Sequence, residues 1–426
     1  MAKTLISREI LPQVLGHLKK SEITLIVGAR QTGKTVLLGM IRDWLQKMKV
    51  PPERIFYFNL DIFKDLEFFQ DQAKFIEWLK EKTQKGKIYV LVDEAQRVPE
   101  CPRFFKGVYD SGLNVKLILT GSSSLELKAR LKESLVGRKR IFHLFSFSFL
   151  EFLEAKEKEL AQRLKKDQKL SFLSKKRLIE LFKEYALWGG YPRVVLARSK
   201  EEKLNILAEI YTSYIEKEIV GFLAIRNRLA FSNLVKLLAG QTGSLVNIAE
   251  LSSSLKIDRH TIQSYLKALE ETFIVSSLSP FFKNPRQEII KQNKIYFLDG
   301  GLRNYAIENF KDFEKRLDKG QVLENALFKE LFLRLGPFQK IRFWRTKQKA
   351  EIDFIILGKE EVIPVEIKSS LKKPQLSLGL QNFLKKYQPK RAFVLNLSLE
   401  EKTKFYQTKV EFILPFQLSK IFSKRK

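Results

Sequence analysis

Hydrophobic residues in segment 1–150 occur in short runs, and amphipathic or polar stretches separate one run from the next. The runs lie within Leu25–Val27, Arg54–Asp61, Ile88–Glu94, Val115–Ser122 and Ile141–Phe145. Short apolar runs bounded by turn signals are typical of strands that are buried on both faces. We therefore expect an α/β domain in segment 1–150.

The next segment, 151–226, has a helical pattern of charged and apolar residues. Because it contains neither Pro nor Gly between Glu151 and Glu184, we expect a helical lid there. A turn or hinge at Trp188–Pro192 would interrupt the lid, and an amphipathic helix over Glu201–Phe222 would follow.

Segment 227–285 has the pattern of a winged helix, with two short helices joined by a turn and then a strand. The turn is Ile257–His260, the second helix is Thr261–Leu269, and the strand is Phe273–Leu278. The residues predicted to be exposed on this recognition helix, and able to contact DNA, are Arg259, His260, Gln263 and Lys267. Many winged helices make only protein contacts, so both interpretations stay open.

Length and composition limit the classes of protein to which this chain can belong. A chain of 426 residues exceeds what one core usually supports, so we expect two or three domains. The net charge of +30 favours a polyanionic partner such as DNA, although a Lys- and Glu-rich composition is also typical of heat-adapted proteins. A single cysteine, Cys101, excludes a disulfide framework. No apolar run is long enough to span a membrane and the amino terminus lacks a signal-peptide core, so we expect a cytoplasmic protein.

The first strand leads into a phosphate-binding pattern. Gly28, Gly33, Lys34 and Thr35 fit G-x-x-x-x-G-K-[ST], in which backbone N–H groups point at the β-phosphate. Lys34 would reach the β- and γ-phosphates, and the hydroxyl of Thr35 would bind Mg²⁺. The loop predicted to bind ATP or ADP comprises Gly28, Ala29, Arg30, Gln31, Thr32, Gly33, Lys34 and Thr35.

Later runs supply candidate groups for ATP hydrolysis. Asp93 would bind Mg²⁺, and Glu94 would polarise the attacking water as general base. Thr120 or Ser122 could hydrogen-bond the γ-phosphate or its water, or could simply cap the strand. Arg138 could sense the γ-phosphate in cis or across a subunit of a homo-oligomer, or could be an ordinary surface residue.

The last segment, 286–426, contains a second group of candidate residues. Glu324 lies on a predicted helix, Asp353 on a predicted strand, and Glu366 and Lys368 on the next strand. Because strand residues alternate between faces, Glu366 and Lys368 point the same way. A connecting loop of two or four residues would set Asp353 opposite Glu366, whereas three residues would not unless a bulge intervened.

A Glu on a helix, an Asp on a strand and Glu-x-Lys on the next strand, in this order, form the pattern of a metal-dependent nuclease. Glu324, Asp353 and Glu366 would hold Mg²⁺ or Mn²⁺, while Lys368 would orient water and offset charge at the transition state. Glu-x-Lys on a strand is also common surface chemistry. Whether such a site cleaves DNA is a question separate from its presence.

Taken together, these motifs resemble a prokaryotic family of AAA-type P-loop ATPases that ends in a winged helix and a PD-(D/E)xK nuclease-like region. The resemblance is carried by Gly28–Thr35, Leu91–Gln96, Leu119–Ser122, Gly189–Pro192, Glu324, Glu351–Asp353 and Val365–Lys368. It implies ATP binding and hydrolysis, an ASCE/AAA-type core over 1–150 and a restriction-endonuclease-like α/β domain over 286–426. The latter is similar to archaeal Holliday-junction resolvases. No second arginine motif of the ring-forming AAA proteins is evident, so the resemblance does not imply a hexamer.

Three functions follow from these patterns. The first is an ATP-driven enzyme acting on DNA, for example in branched-DNA processing, in which nucleotide turnover moves the winged-helix and nuclease-like region. The second is a nucleotide-dependent switch whose nuclease-like domain only binds. The third is a transcription regulator that uses the winged helix.

Overall fold

The computed structural model describes residues 5–122, 137–219, 225, 227–282, 292–359 and 361–422. The chain forms two compact units. The first comprises Met1–Phe147, Thr212–Arg226 and Lys267–Phe273, and the second comprises Ser148–Tyr211, Asn227–Leu266 and Ile274–Lys426. The boundary expected between residues 285 and 286 lies outside the described residues.

A five-stranded parallel sheet forms the centre of the first unit. Its strands are β1 (Ile23–Gly28), β2 (Ile55–Asn59), β3 (Ile88–Asp93), β4 (Val115–Ser122) and β5 (Lys139–His143), in the order β2-β3-β4-β1-β5. The predicted α/β fold with a sheet typical of P-loop ATPases is confirmed. Because the strands are parallel, the carboxyl ends of β1, β4 and β3 lie side by side.

Alternation along the strands explains why the sequence of the central strands is largely apolar. Leu25 packs on one side of the sheet with Phe105, while its neighbour Ile26 packs on the other side with Leu38. Both faces are therefore core, as the continuous hydrophobic runs predict. Among the described residues up to Phe147, the α-helices are Leu11–His17, Lys34–Lys47, Phe63–Phe68, Gln72–Thr83 and Cys101–Asp110.

The second unit begins with helices in the segment predicted to be a lid. They are Phe149–Lys156, Lys158–Lys165, Phe172–Trp188, Pro192–Leu196 and Lys200–Ile210. A π-helical stretch, Tyr211–Ile219, follows in the chain, and from Thr212 onwards it belongs to the first unit. Ser148 begins the first helix with a capping box in which Glu151 returns the hydrogen bond. The end of the helix expected over Glu201–Phe222 lies outside the described residues.

Three helices occupy the segment with the winged-helix pattern, and a hairpin follows whose second strand lies beyond residue 285. The helices are Arg228–Gly240, Ile248–Leu255 and Arg259–Glu271, and the antiparallel strands are β6 (Val275–Leu278) and β7 (Lys294–Phe297). Leu245, between the first two helices, forms a further antiparallel bridge to Lys294.

A mixed six-stranded sheet forms the carboxyl-terminal part, in the order β12-β13-β11-β10-β9-β8. Its strands are β8 (Lys340–Arg345), β9 (Glu351–Leu357), β10 (Val362–Lys368), β11 (Arg391–Asn396), β12 (Glu401–Phe405) and β13 (Thr408–Ile413). The remaining α-helices are Gly300–Ala306, Lys319–Leu333, Leu378–Tyr387 and Ser419–Phe422. Four residues connect Leu357, the last residue of β9, to Val362, the first residue of β10. The two strands pair so that Val365 lies opposite Phe354. One residue further along, Asp353 faces Glu366, as a loop of this length predicts.

Within the described part of the chain, no helix combines the length and the apolar character needed to cross a membrane.

Candidate functional site

The phosphate-binding loop starts where β1 ends. All residues of β1 are buried, and the helix Lys34–Lys47 follows the loop. Gly28 is required by space, because a Cβ atom there would lie 2.1 Å from the carbonyl oxygen of Leu144. Gly33 has φ +96°, a left-handed conformation that favours glycine, and it is the residue that precedes the helix. The loop therefore aims a helix amino terminus at the edge where the parallel strands end.

Lys34 lies inside this loop with only 5% of its surface exposed. Its Nζ donates to the carbonyl oxygens of Gly28 and Ala29, both at 3.2 Å, and lies 3.9 Å from Oε1 of Glu94. A buried ammonium held by carbonyl oxygens of the loop is placed where a triphosphate would offer it stronger, charged acceptors.

Asp93, the last residue of β3, is the centre of a hydroxyl cluster. Its Oδ2 accepts a 2.6 Å hydrogen bond from Thr35, and its Oδ1 accepts one from Thr120. The hydroxyl of Tyr57 lies 3.4 Å from Oδ2; burial and the Asp93 charge raise the pKa of Tyr57 to about 12. Carboxylate and hydroxyl oxygens are the ligands that Mg²⁺ prefers, so this donor set fits the expected metal. Ser122 lies beside Gly28 in the β1–β4 register.

Glu94 adopts a backbone conformation that is rare for its residue type, with φ +55° and ψ +47°. Its N–H donates to Oγ1 of Thr120 at 3.1 Å, and its side-chain Oε2 accepts a hydrogen bond from Gln96. Thr120 thus connects the two acidic residues, donating to Asp93 and accepting from the backbone of Glu94. Strained backbone held by neighbouring contacts is found preferentially at functional sites.

Arg138 lies at the opposite end of the sheet from the phosphate-binding loop. Its carbonyl oxygen accepts from the N–H of Ile23 at the amino end of β1, and its Nε donates to Asp110 at 2.7 Å. Since β1 runs from Ile23 to Gly28, its length of roughly 17 Å separates Arg138 from the loop. The expectation that Arg138 senses the γ-phosphate in cis does not fit this placement, whereas contact across a subunit stays a prediction.

Arg8 contacts the phosphate-binding loop, although the sequence patterns did not identify it as a site residue. Its Nη1 donates to the carbonyl oxygen of Thr32 in the loop and its Nη2 to that of Phe145, both at 2.6 Å. Its guanidinium also lies 5.0 Å from the ring centre of Phe147. A buried arginine therefore braces the phosphate-binding loop against the chain that follows β5.

The residues predicted to contact DNA share one face of the helix Arg259–Glu271. Arg259, His260, Gln263 and Lys267 are all exposed. Their spacing of three and four residues places them above one another on the helix, while Ile262, 0% exposed, points into the core. Asp258 caps the helix by accepting from the N–H of Thr261 at 2.9 Å.

The carboxyl-terminal candidates also come together. Oε1 of Glu366 lies 2.7 Å from Nζ of Lys368, and its Oε2 accepts from Ser377 at 2.8 Å. Oδ2 of Asp353 accepts from the backbone N–H of Ile367 at 2.7 Å. Burial and the neighbouring Glu324 raise the pKa of Asp353 to about 8.

Glu324 faces the same cluster from the helix Lys319–Leu333. Its Oε1 accepts from the hydroxyl of Tyr296 at 2.5 Å, and burial raises its pKa above the ordinary value. Burial lowers the pKa of Lys368, but Glu366 and the other acids outweigh this effect and raise it overall.

A buried lysine, Lys294 on β7, completes the cluster. Its Nζ donates to Oε1 of Glu351 and lies 3.8 Å from Oε1 of Glu324. Over the described ranges, no three His, Cys, Asp or Glu side chains are grouped so that they could hold a metal ion. The acids predicted as nuclease ligands lie near one another, since Glu324 and Glu366 both act on the charge of Asp353, and their binding of a metal stays a prediction.

Comparison with known proteins identifies the class. A family model described as an AAA domain matches residues 20–153, and domains of unknown function match residues 179–312 (DUF8612) and 319–417 (DUF4143). An uncharacterized protein of Haemophilus influenzae is 32% identical over 86% of this chain and 88% of its own length. The chain belongs to this family of AAA-type P-loop ATPases.

Other relatives of this ATPase are also without an assigned role. An uncharacterized protein of Methanocaldococcus jannaschii is 27% identical over 81% of the chain and 74% of its own length. Among solved structures, the Walker-type ATPase paby2304 of Pyrococcus abyssi gives a TM-score of 0.48 at 16% identity, over 72% of this chain and 97% of that one.

Proposed function

We propose that this ATPase hydrolyses ATP with Mg²⁺ at the loop Gly28–Thr35 and uses turnover to switch how it binds DNA. The hydrogen bond of 2.6 Å between Thr35 and Asp93 carries the proposal. It brings the hydroxyl at the start of the loop helix to the carboxylate at the end of β3, two strands away in the sheet. These are the two protein groups that P-loop ATPases use for their metal.

Lys34 and Glu94, beside the phosphate-binding loop, have separate roles in this proposal. Bound ATP supplies a phosphoanhydride bond whose hydrolysis releases free energy. Lys34 exchanges its carbonyl partners for phosphate oxygens, and Glu94 accepts a proton from the attacking water. Gln96 donates to Oε2 of Glu94 and so helps to orient this carboxylate.

ATP turnover tests the first half. Lys34→Ala removes the phosphate contact and should abolish hydrolysis, measured as phosphate release with Mg²⁺ and again with EDTA. Lys47→Ala is the matched control, because Lys47 lies exposed at the end of the same helix. Wild-type turnover by Lys34→Ala would refute this assignment of the site.

For DNA, we propose the helix Arg259–Glu271 as the recognition helix of a winged helix. The support is the order of three helices and the β6–β7 hairpin, together with the bridge from Leu245 that adds a third short strand position. Two cations on the exposed face, Arg259 and Lys267, would contact phosphates, and Gln263 between them could reach a base edge. The net charge of +30 favours such a polyanionic partner.

DNA affinity tests the second half. Replacing Arg259 and Lys267 by Ala should weaken binding and lower the slope of log affinity against log salt by about two, because each phosphate contact contributes about one. The control replaces Lys64 and Lys80, two exposed lysines outside this helix, and makes the same change in net charge. An equal loss of DNA affinity in both double variants would show that the exposed face of the helix Arg259–Glu271 has no special role in DNA binding. ATPase rates with linear and branched DNA then test whether binding and turnover are coupled.

The nuclease-like domain acts in this proposal as a binding module that does not cleave. Lys294 is the observation that favours this over cleavage, since a buried ammonium already pairs with the acids. Incubating DNA with wild type, Asp353→Ala and Glu366→Ala in Mg²⁺ or Mn²⁺ tests it. Cleavage by wild type that both variants lose would overturn it.

A further inference from the structure

The side chain of Lys294 is among the most buried charged groups in the described part of the chain, with 2% of its surface exposed. It extends from β7 towards carboxylates that belong to other elements, Glu351 on β9 and Glu324 on the helix Lys319–Leu333. Its ammonium also lies 5.3 Å from the ring centre of Phe343. A lysine this deep in the protein has to be paired, because burying an unpaired charge is strongly unfavourable.

The electrostatics of the cluster agree with a charged ammonium. Burial by itself lowers the pKa of Lys294, but Glu324, Glu351 and Asp353 outweigh it, and the pKa is raised overall. The ammonium of Lys294 lies against the acids that the nuclease pattern would use for a metal, 3.8 Å from Oε1 of Glu324.

Each carboxylate of the cluster already has at least one protein partner. Glu366 is shared between Lys368 and Ser377, Asp353 accepts from a backbone N–H, and Glu324 accepts from Tyr296. Glu351, the main partner of Lys294, also accepts from Arg345 at 3.0 Å. A divalent cation would have to displace several of these partners and lie close to an ammonium of the same sign.

We propose that the ammonium of Lys294 is the resident cation of this carboxylate cluster and excludes a divalent metal from it. The inference rests on the proposed function in one respect, since it explains why the nuclease-like domain would bind without cleaving. It also gives the cluster a task, because the ion pair ties β7 of the helix-and-hairpin segment to β9 of the carboxyl-terminal sheet.

Mn²⁺ binding to the full-length protein without nucleotide tests this inference. Mn²⁺ is followed by the loss of the free-ion signal in electron paramagnetic resonance. Wild type and Lys294→Arg should bind no equivalent of Mn²⁺ through this cluster. Lys294→Met removes the charge but keeps an unbranched apolar chain, and should bind one equivalent of Mn²⁺ more than wild type. Adding Asp353→Asn to Lys294→Met should remove the gain.

Two results would overturn the inference. One is a wild-type Mn²⁺ site that Asp353→Asn abolishes, and this comparison decides the matter even if Lys294→Met does not fold. The other is a folded Lys294→Met, verified by circular dichroism, that binds no more Mn²⁺ than wild type. Failure of the proposed function is distinct from both, because ATP turnover and DNA binding are measured separately.

Discussion

Thr120 provides a sharp test of the ATPase site because one hydroxyl serves two acidic residues. Its side chain is fully buried, donates to Oδ1 of Asp93 and accepts from the backbone N–H of Glu94 at 3.1 Å. Thr120→Val keeps the shape of the side chain and removes both hydrogen bonds. Asp93 then loses one of the donors that hold its carboxylate, and the strained turn at Glu94 loses its acceptor.

The size of the effect follows from the charge on Asp93. A hydrogen bond to a charged group contributes about 1.5–3 kcal/mol. If that amount is lost from the positioning of Asp93 and Glu94 in the transition state, kcat falls about 10- to 150-fold, since each 1.4 kcal/mol is roughly a factor of ten. Nucleotide affinity should change much less, because Lys34 and the loop N–H groups are untouched.

The assay is steady-state phosphate release together with titration of a fluorescent ADP analogue. Thr120→Ser keeps the hydroxyl and is the matched control, expected to retain most of kcat. A Thr120→Val variant that binds the ADP analogue normally and hydrolyses ATP at the wild-type rate would refute the connecting role of this hydroxyl.

Three further predictions concern the loop, the pH response and the hinge. Arg8→Ala should weaken ADP binding about tenfold, because two charged hydrogen bonds to backbone carbonyls are lost; titration of the fluorescent analogue measures this, and affinity equal to wild type would contradict the bracing role. Burial lowers the pKa of His17 to about 4. As pH falls, the unfolded chain binds a proton at this histidine before the folded chain does, so the stability that depends on neutral His17 is present above pH 6.5 and lost as pH falls towards 4. The free energy of unfolding of wild type, measured with urea, should therefore fall by about 1–3 kcal/mol more over this window than that of His17→Gln. An equal fall in both proteins would refute this prediction. Gly189 has φ +74°, and a Cβ there would lie 2.0 Å from Asp299. Gly189→Ala should lower the free energy of unfolding by at least about 1–3 kcal/mol, whereas Gly240→Ala, which meets nothing within 4 Å, should leave it nearly unchanged.

Local sequence determined the first unit. The alternation of apolar runs with helical patterns predicted the strands of the parallel sheet, because both faces of that sheet are core and most positions of its central strands are apolar. The phosphate-binding loop was equally local. Gly28, Gly33, Lys34 and Thr35 have to follow one another at fixed spacing, so their chemistry can be seen in the sequence alone.

The relative position of the carboxyl-terminal acids was also determined in part by nearby sequence. Asp353 and Glu366 face each other because a four-residue loop joins two antiparallel strands. The sequence left two loop geometries open, and only the paired register decided between them.

Tertiary structure decided the contacts that join distant parts of the chain. Arg8 reaches a carbonyl 137 residues further on, and Lys294 enters an acid cluster from a strand whose pattern is otherwise that of buried core. The parallel sheet likewise put Arg138 at the edge away from the nucleotide loop. Periodicity reports which face of an element is buried, but not which element lies against it, so a buried cation and its acidic partners become visible only when the chain is folded.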